Sequence, residues 1–419
     1  MENSQEPQRA VLFSITDDEA GRSLEELKLL CEAAGIEAVA VMTQKRSSVV
    51  AATYFGKGKV EELGDLIHGM EADVAVCDDE LSGTQLRNLE DRLDSKVIDR
   101  TMLILDIFAS RAISKEGKLQ VELAQLTYRM PRLSGFGKSL SRLGGGIGTR
   151  GPGEKKLESD RRHIRRRIID IKQALKEADE NRQVQSSQRS KSELPKVALV
   201  GYTNAGKSAM ANQIMRISDS AGMPVIEENK LFATLDAYSR RIDLGDGKVF
   251  LLVDTVGFVS KLPHALINAF RATLDEAKNA DLLIHVIDAS FEGYRFQIET
   301  VEKTLEEIGA SANERIDVYN KIDIAGRPES WPASEALAVS ALTGENIGLL
   351  LDEVSRRIFA GEIEARVLIP YSRGDIVSKL NEETAVINQE YLPEGTLITT
   401  KIKIADFNKY REYLHDSIG

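Results

Sequence analysis

The sequence predicts an α/β protein of several domains, and two observations carry that prediction. The apolar run 196–200 is followed by a glycine-bearing loop and then by a helix-compatible segment. Residues 9–112 alternate short apolar runs with helical stretches, which is the pattern of a small α/β sheet domain. A chain of 419 residues is long enough for roughly two to four domains.

The loop after the run 196–200 fits the phosphate-binding pattern G-x-x-x-x-G-K-[ST] at every fixed position, with the sequence GYTNAGKS. Glycines let the backbone wrap a polyphosphate, successive N–H groups point inward, and the helix N-terminus adds positive potential. We expect Lys207 to reach the β- and γ-phosphates and the Ser208 hydroxyl to bind Mg²⁺. The other positions predicted to contact a nucleotide here are Gly201, Asn204, Ala205, Gly206 and Ala209.

A second motif, N-K-x-D, predicts that the base is guanine. It follows the predicted strand 315–319. The Asp323 carboxylate can accept hydrogen bonds from both the ring N–H and the exocyclic amine of guanine, and adenine has no such pair of donors. The run 340–342 follows another apolar run and suits the backbone contact that closes a base pocket. The predicted guanine-binding residues are Asn320, Lys321, Asp323, Ser340 and Ala341.

Three further positions predict the metal site and the γ-phosphate contact. Asp254 ends the apolar run 249–253, and an Asp there beside a phosphate loop binds Mg²⁺ through water. The Gly257 N–H is placed to bind the γ-phosphate. Thr234 lies between the phosphate loop and Asp254, where a first switch offers a Thr to Mg²⁺. The predicted catalytic residues are Lys207, Thr234 and Gly257, and the predicted metal ligands are Ser208, Thr234 and, through water, Asp254.

The residue after Gly257 bears on the rate of hydrolysis. Many GTPases place a Gln there to orient the attacking water, but this chain has Phe258. An apolar side chain cannot polarise water, so we expect slow intrinsic hydrolysis that a partner accelerates. Asn204 leaves two interpretations open: it helps to hold a K⁺ ion that acts like an arginine finger, or it stabilises the loop turn.

Composition narrows the class of protein. The chain contains no apolar run of 18 residues, so we expect no transmembrane helix, and its polar N-terminus shows no signal peptide. Cys31 and Cys77 are the only cysteines, too few for a disulfide scaffold or a zinc site. We therefore predict a cytoplasmic protein. The net charge of −11 argues against a generic nucleic-acid binder.

One segment reverses that charge. Residues 129–176 contain 14 Lys and Arg against 4 Asp and Glu. Apolar stripes at helical spacing on both sides of the glycine-rich stretch 135–153 predict two antiparallel helices joined by a long basic loop. Arginine, lysine and bare backbone N–H groups favour RNA phosphates, and a disordered linker is the alternative. The predicted RNA-binding residues are Lys138, Arg142, Arg150, Lys155, Arg161, Arg162, Arg165 and Arg166.

These features divide the chain into five segments. The predicted fold class is α/β, with a P-loop GTPase domain preceded by a small α/β domain with a helical hairpin arm and followed by a small α/β C-terminal domain. A final helix is predicted over 405–414. The segments are an N-terminal domain at 1–112, the arm at 113–185 with its loop at 135–153, a linker at 186–194, the GTPase domain at 195–360 and the C-terminal domain at 361–419.

Four features together make the chain resemble the HflX family of ribosome-associated translational GTPases. They are the GTPase motifs above and the stretches YFGKGKV at 54–60, EGKLQVELAQL at 116–126 and GGGIGTRGPGE at 144–154, and the resemblance covers almost the whole chain. The chain departs from the family at 237–238, where Ala-Tyr replaces Pro-Thr, and at 209–210, where Ala-Met replaces Thr-Leu.

The resemblance implies a function. It implies an arm whose loop, residues 135–153, reaches toward the peptidyl-transferase region of the large ribosomal subunit and contacts its RNA. It also implies that the GTP-bound protein dissociates stalled or idle ribosomes into subunits, and that the ribosome stimulates hydrolysis of GTP to GDP and phosphate. We expect a monomer.

Three other functions stay open beside this one. A GTP-dependent ribosome assembly factor would share the same motifs. A signalling or membrane-trafficking switch directed at a protein has no need of a basic glycine-rich arm, and an RNA-remodelling NTPase would require adenine specificity, against which Asp323 argues.

Overall fold

The computed structural model describes residues 7–16, 20–132, 152–189, 194–218, 238–245, 248–261, 271–325, 337–403 and 409–416. The chain divides into two units, each described here by itself. The first unit comprises Met1–Ala178, Asn229–Asp236 and Val259–Arg271, and the second comprises Asp179–Glu228, Ala237–Phe258 and Ala272–Gly419. No helix in the described ranges is long and apolar enough to cross a membrane.

The first unit begins with alternating strands and helices, as the sequence predicts. Within the described residues the four strands are all parallel, in the order β2-β1-β3-β4. The fourth strand and the helix after it extend the predicted alternation. The elements are β1 (Gln8–Thr16), α1 (Ala20–Ala33), β2 (Ile36–Lys45), α2 (Lys57–Gly69), β3 (Val74–Cys77), α3 (Gly83–Leu93), β4 (Lys96–Asp99) and α4 (Arg100–Arg111).

Local sequence explains where two of these helices begin. Ser82 and Gln85 form a reciprocal capping box at the start of α3. Asp99 caps α4 by accepting a hydrogen bond of 2.9 Å from the Met102 N–H. The same carboxylate accepts from the Leu81 N–H at 3.0 Å and from the Tyr128 hydroxyl, so it also ties α4 to the next helix. Complete burial raises the pKa of Asp99.

Two helices of the predicted arm follow, α5 (Lys115–Arg132) and α6 (Pro152–Arg189). The Arg167 guanidinium donates two hydrogen bonds of 2.7 Å to the Glu122 carboxylate and so joins the two helices. Helix α6 includes the last two residues of the predicted loop, 152 and 153, because proline suits the first helical position. It continues to Arg189, four residues into the predicted linker, because that stretch contains no Gly or Pro.

The second unit contains a six-stranded sheet within the described residues, in the order β10-β9-β8-β5-β7-β6. All neighbouring strands run parallel except β6 and β7. The elements are β5 (Lys196–Gly201), α7 (Lys207–Ile217), β6 (Tyr238–Asp243), β7 (Val249–Asp254), α8 (Arg271–Lys278), β8 (Leu282–Asp288), α9 (Tyr294–Ile308), β9 (Arg315–Asn320), α10 (Ile322–Ala325), β10 (Leu337–Ala338) and α11 (Ile347–Ile358).

The packing of this sheet explains where its polar residues lie. Apolar side chains of β5, β8 and β9 pack with those of α7 and α11 in one core. The parallel strands β5, β7, β8 and β9 end at the same edge of the sheet, so the polar residues that follow them meet there.

The C-terminal part of the second unit is an antiparallel sheet with one long helix in the described residues. The strand order is β12-β13-β11-β14. Of the final helix predicted over 405–414, residues 405–408 lie outside the described residues, and Lys409 and Tyr410 are helical. Arg411–Tyr413 is a short 3₁₀ turn, and from Leu414 the chain pairs as a strand with β11, so the helix ends earlier than predicted. The elements are β11 (Glu362–Ile369), α12 (Gly374–Glu383), β12 (Ala385–Leu392), β13 (Gly395–Lys403) and β14 (Leu414–Asp416).

Candidate nucleotide-binding site

The phosphate loop lies between β5, which ends at Gly201, and α7, which begins at Lys207. Gly206, the residue before α7, has a φ of +95°, a conformation that glycine adopts without steric cost. A Cβ at this position would lie 2.3 Å from the Asn320 side-chain nitrogen. The glycine of the motif therefore permits both the turn of the loop and its contact with the base-reading motif.

Lys207 is buried, and its ammonium group is held by the loop itself. Its Nζ donates to the carbonyl oxygens of Gly201 and Tyr202 at 3.1 and 2.9 Å. Burial lowers the pKa of Lys207 to about 8, and the charge of Asp254 opposes that shift. A polyphosphate at this loop would favour the protonated ammonium, so Lys207 suits the phosphate contact that the sequence predicts.

Ser208 and Asp254 lie together, as expected of two residues around one Mg²⁺ ion. The Ser208 hydroxyl donates to Asp254 Oδ2 at 2.8 Å. Asp254 ends β7 beside β5 and is almost fully buried. A hydroxyl and a carboxylate are hard oxygen donors of the kind that Mg²⁺ prefers, so the two residues fit that ion. Thr234, the third predicted ligand, lies outside the described residues.

The D-x-x-G motif lies directly against the phosphate loop. The Phe258 N–H donates to the Gly201 carbonyl at 3.1 Å, and the Thr203 N–H donates to the Phe258 carbonyl at 2.7 Å. A Cβ on Gly257 would lie 2.8 Å from Thr203 Cα and 2.9 Å from Lys207 Nζ, so only glycine fits. The Phe258 side chain is 1% exposed. The slow intrinsic hydrolysis expected from this residue stays a prediction.

Asn320 links the base-reading motif to two other loops. Its side-chain nitrogen donates to the Ala205 carbonyl at 2.8 Å, and its side-chain oxygen accepts from the Ala341 N–H at 2.9 Å. The Ser340 hydroxyl donates to Asp323 Oδ1 at 2.6 Å. The structure therefore brings together the phosphate loop, the N-K-x-D motif and the 340–342 run, which are far apart in sequence.

Lys321 has a partner that the sequence reasoning missed. Its Nζ lies 2.7 Å from Oδ2 of Asp288, the last residue of β8. Asp288 belongs to none of the predicted motifs. The available signal was its position at the end of a buried strand next to β9, which leads into the N-K-x-D motif.

Two predicted nucleotide-contacting positions remain, Asn204 in the phosphate loop and Ala209 on α7. Asn204 is exposed and has a φ of +61°, a left-handed conformation that Asn tolerates better than most residues. That geometry favours the turn interpretation, while the K⁺ role stays a prediction. Ala209 is partly buried and packs against the core under α7.

The predicted RNA-binding residues form a separate group. Lys138, Arg142 and Arg150 lie outside the described residues, and for Lys155 the structure describes the helical backbone but not the side chain. On α6, Arg162, Arg165 and Arg166 are exposed and Arg161 is partly exposed. This stretch of α6 thus presents several cations, of which Arg162 lies 4.0 Å from the exposed Glu158 carboxylate.

Comparison with protein families matches four consecutive stretches of the chain. Residues 21–109 match the family described as "GTP-binding GTPase N-terminal" and residues 111–189 match "GTP-binding GTPase Middle Region". Residues 196–321 match "50S ribosome-binding GTPase" and residues 329–410 match "HflX C-terminal domain".

Curated relatives agree over nearly the whole length. The GTPase HflX of Caldanaerobacter subterraneus subsp. tengcongensis is 45% identical over 416 residues, covering 99% of this chain and 95% of the relative. The chain belongs to the HflX family. The GTPase HflX of Escherichia coli K12 is 40% identical over 408 residues, covering 95% of this chain and 93% of the relative. This HflX-family protein is a P-loop GTPase that binds GTP, and its family is one of ribosome-binding GTPases.

A solved structure is also similar to this HflX-family chain. It is a GTP-binding protein from the archaeon Sulfolobus solfataricus in complex with GDP, 25% identical, with a TM-score of 0.43. The similarity covers 83% of this chain and 98% of that one.

Proposed function

We propose that this GTPase binds the large ribosomal subunit in its GTP state, dissociates stalled or idle ribosomes into subunits, and is stimulated by the ribosome to hydrolyse GTP to GDP and phosphate. The observation that carries the proposal is the pairing of a GTPase site with a basic, glycine-rich arm in a chain of the HflX family. The exposed arginines of α6 support an RNA partner, because several cations on one helix face suit a phosphate backbone.

The roles of the site residues follow from their contacts. Lys207, Thr234 and Gly257 would contact the β- and γ-phosphates and the switch region, and Ser208, Thr234 and a water on Asp254 would hold Mg²⁺. When bound, Mg²⁺ neutralises charge on the phosphate oxygens. Asn204 is the candidate partner for K⁺. Asp323 would select guanine, since its carboxylate is already oriented by Ser340.

The arm would supply the ribosomal contact. The proposed RNA-binding residues are Lys138, Arg142, Arg150, Lys155, Arg161, Arg162, Arg165 and Arg166. We also propose that the protein acts in the cytoplasm as a monomer and that the five segments derived from the sequence are its functional parts.

Ribosome co-sedimentation tests this function. The intact protein and a variant with residues 135–153 replaced by a short Gly-Ser link are mixed with ribosomes and either GDP or a non-hydrolysable GTP analogue, and the subunit profile is recorded. We expect analogue-dependent binding to the large subunit and fewer joined ribosomes, both lost in the variant. Binding to the large subunit without any loss of joined ribosomes would favour the assembly factor instead. Binding indifferent to both nucleotide and loop would refute a ribosomal role for the arm.

A further inference from the structure

Asp288 contacts the guanine-reading motif although it belongs to no recognised nucleotide motif of the chain. It ends β8, where it is the register partner of Asn320 at the end of β9. Its Oδ2 lies 2.7 Å from Lys321 Nζ, and the two side chains are 13% and 23% exposed. A partly buried ion pair of this kind is screened less by water and salt than one on the open surface.

The carboxylate of Asp288 is held in one orientation. Its second oxygen, Oδ1, accepts hydrogen bonds from the Ser290 N–H at 3.0 Å and from the Ser290 hydroxyl at 2.6 Å. The Ala289 N–H donates to the Asn320 carbonyl at 3.0 Å, which ties the loop after β8 to the strand that carries the motif. Both oxygens therefore have defined partners, and only one of them is directed at Lys321.

Lys321 is the residue of the motif that most needs such a partner. It has a φ of +67°, an uncommon conformation for a residue other than glycine. Its side chain is long and flexible, and ordering it on nucleotide binding would cost rotamer entropy. Asn320 is fixed by Ala205 and Ala341, and Asp323 by Ser340. Asp288 does for Lys321 what those residues do for the rest of the motif.

We infer that Asp288 is a positioning residue for the guanine nucleotide: it orders Lys321 before the nucleotide arrives and thereby slows nucleotide release. The inference rests on the proposed assignment of Asn320, Lys321 and Asp323 to the base. Asp288 acts through Lys321, so it should affect affinity without setting the choice of base.

A double-mutant cycle tests this inference. The dissociation constant of GDP and the dissociation rate of a fluorescent GDP analogue are measured for Asp288→Asn, Lys321→Ala and the double variant. We expect each single variant to release the nucleotide about tenfold faster, and the double variant to be no worse than Lys321→Ala, because interacting residues are not additive. Glu292→Gln, an exposed carboxylate in the same loop region, is the matched control and should leave both values unchanged.

Two results would overturn the positioning role of Asp288. The first is unchanged release in Asp288→Asn. The second is a double variant whose loss is the product of the two single losses, since Asp288 would then act independently of Lys321. If Asp288→Asn does not fold, Ser290→Ala replaces it in the cycle. This variant keeps the charge and the backbone hydrogen bond to Oδ1 but removes the hydroxyl that also holds Oδ1, and it should accelerate release only when Lys321 is present.

A parallel measurement separates this inference from the site assignment. In Asp323→Asn the preference for GDP over the xanthine nucleotide should reverse, because an amide donates where the carboxylate accepts. In Asp288→Asn the ratio of the two affinities should stay as in the unsubstituted protein. If Asp323→Asn still prefers GDP over the xanthine nucleotide, both the base assignment and the role of Asp288 are overturned. If the preference reverses in Asp323→Asn but Asp288→Asn releases the nucleotide at an unchanged rate, only the role of Asp288 is overturned.

Discussion

The phosphate loop and the N-K-x-D motif fit together only because residue 206 is a glycine, whose lack of a side chain leaves room for Asn320. With a φ of +95° and a Cβ position 2.3 Å from the Asn320 side-chain nitrogen, an alanine would be strained and would displace Asn320. We predict that Gly206→Ala weakens GDP binding by at least about tenfold, which corresponds to about 1.4 kcal/mol, as measured by calorimetry. Gly348→Ala is the control: its Cβ would meet no atom within 4 Å, so GDP affinity should be unchanged. Equal affinities for Gly206→Ala and the unsubstituted protein would contradict the assignment.

Because His285 is buried, we predict that the free energy of unfolding falls at acidic pH. Its ring is 1% exposed in β8, and burial lowers its pKa although Asp317, 3.1 Å away, opposes the shift. Between its lowered folded pKa and about 6.5 the unfolded chain binds a proton that the folded chain does not, so stability falls as the pH drops below about 6.5. The slope for one proton is at most about 1.4 kcal/mol per pH unit.

Urea unfolding at pH 7.5 and pH 5.5 measures this effect. His285→Gln should show a smaller loss of stability between the two pH values than the unsubstituted protein. The other histidines are common to both proteins and cancel in the comparison. An identical loss in both would mean that His285 does not titrate in this way.

At the scale of elements, the exposed arginines of α6 allow the proposed RNA binding to be tested by charge reversal. Arg165 and Arg166 are exposed, whereas Arg167 is engaged by Glu122. Reversing the two exposed charges, as Arg165→Glu with Arg166→Glu, should weaken ribosome binding and flatten its salt dependence, because fewer counterions are released. Binding is measured by sedimentation at several salt concentrations. Lys303→Glu, an exposed charge reversal on α9, should leave the salt dependence unchanged; an equal effect there would point to net charge rather than to the arm.

Elements were predictable where local sequence decides them. The strand, loop and helix around 196–217 follow from apolar runs and glycine placement, and the alternation in 9–112 follows from short-range patterning. The end of α6 was not predictable, because a polar stretch without Gly or Pro suits a helix and a linker equally. Contacts such as Lys321 with Asp288, or Tyr128 with Asp99, depend on tertiary packing between distant residues and leave no local pattern.

At the scale of the whole molecule, Arg100 secures a distant segment within the first unit. It is 1% exposed, donates to Asp78 Oδ1 at 2.8 Å and to the Ser260 hydroxyl at 2.9 Å, and pairs with Glu26. Ser260 is 160 residues away in the chain, so this guanidinium joins the N-terminal sheet to the segment that follows Gly257 in sequence.

Removing that guanidinium takes a positive charge away from two largely buried carboxylates, those of Asp78 and Glu26, although Asp78 keeps its ion pair with Lys261 at 2.6 Å. We predict that Arg100→Ala lowers the free energy of unfolding by about 3–5 kcal/mol, as measured by urea unfolding. Arg92→Ala, at an exposed position of α3, should change it by less than about 0.5 kcal/mol. Similar small effects at both positions would show that the buried network contributes little.

We propose that a ribosome-directed arm controls a slow GTPase. Phe258 follows the glycine of the D-x-x-G motif, where many GTPases have a water-orienting Gln, and on this basis we propose that a partner supplies that role. The most direct measurement is the GTP turnover of the isolated protein with and without large ribosomal subunits. We predict slow turnover alone, and a large increase on adding subunits that disappears when residues 135–153 are replaced by a Gly-Ser link. Fast turnover by the isolated protein, or turnover unaffected by large subunits, would contradict the account.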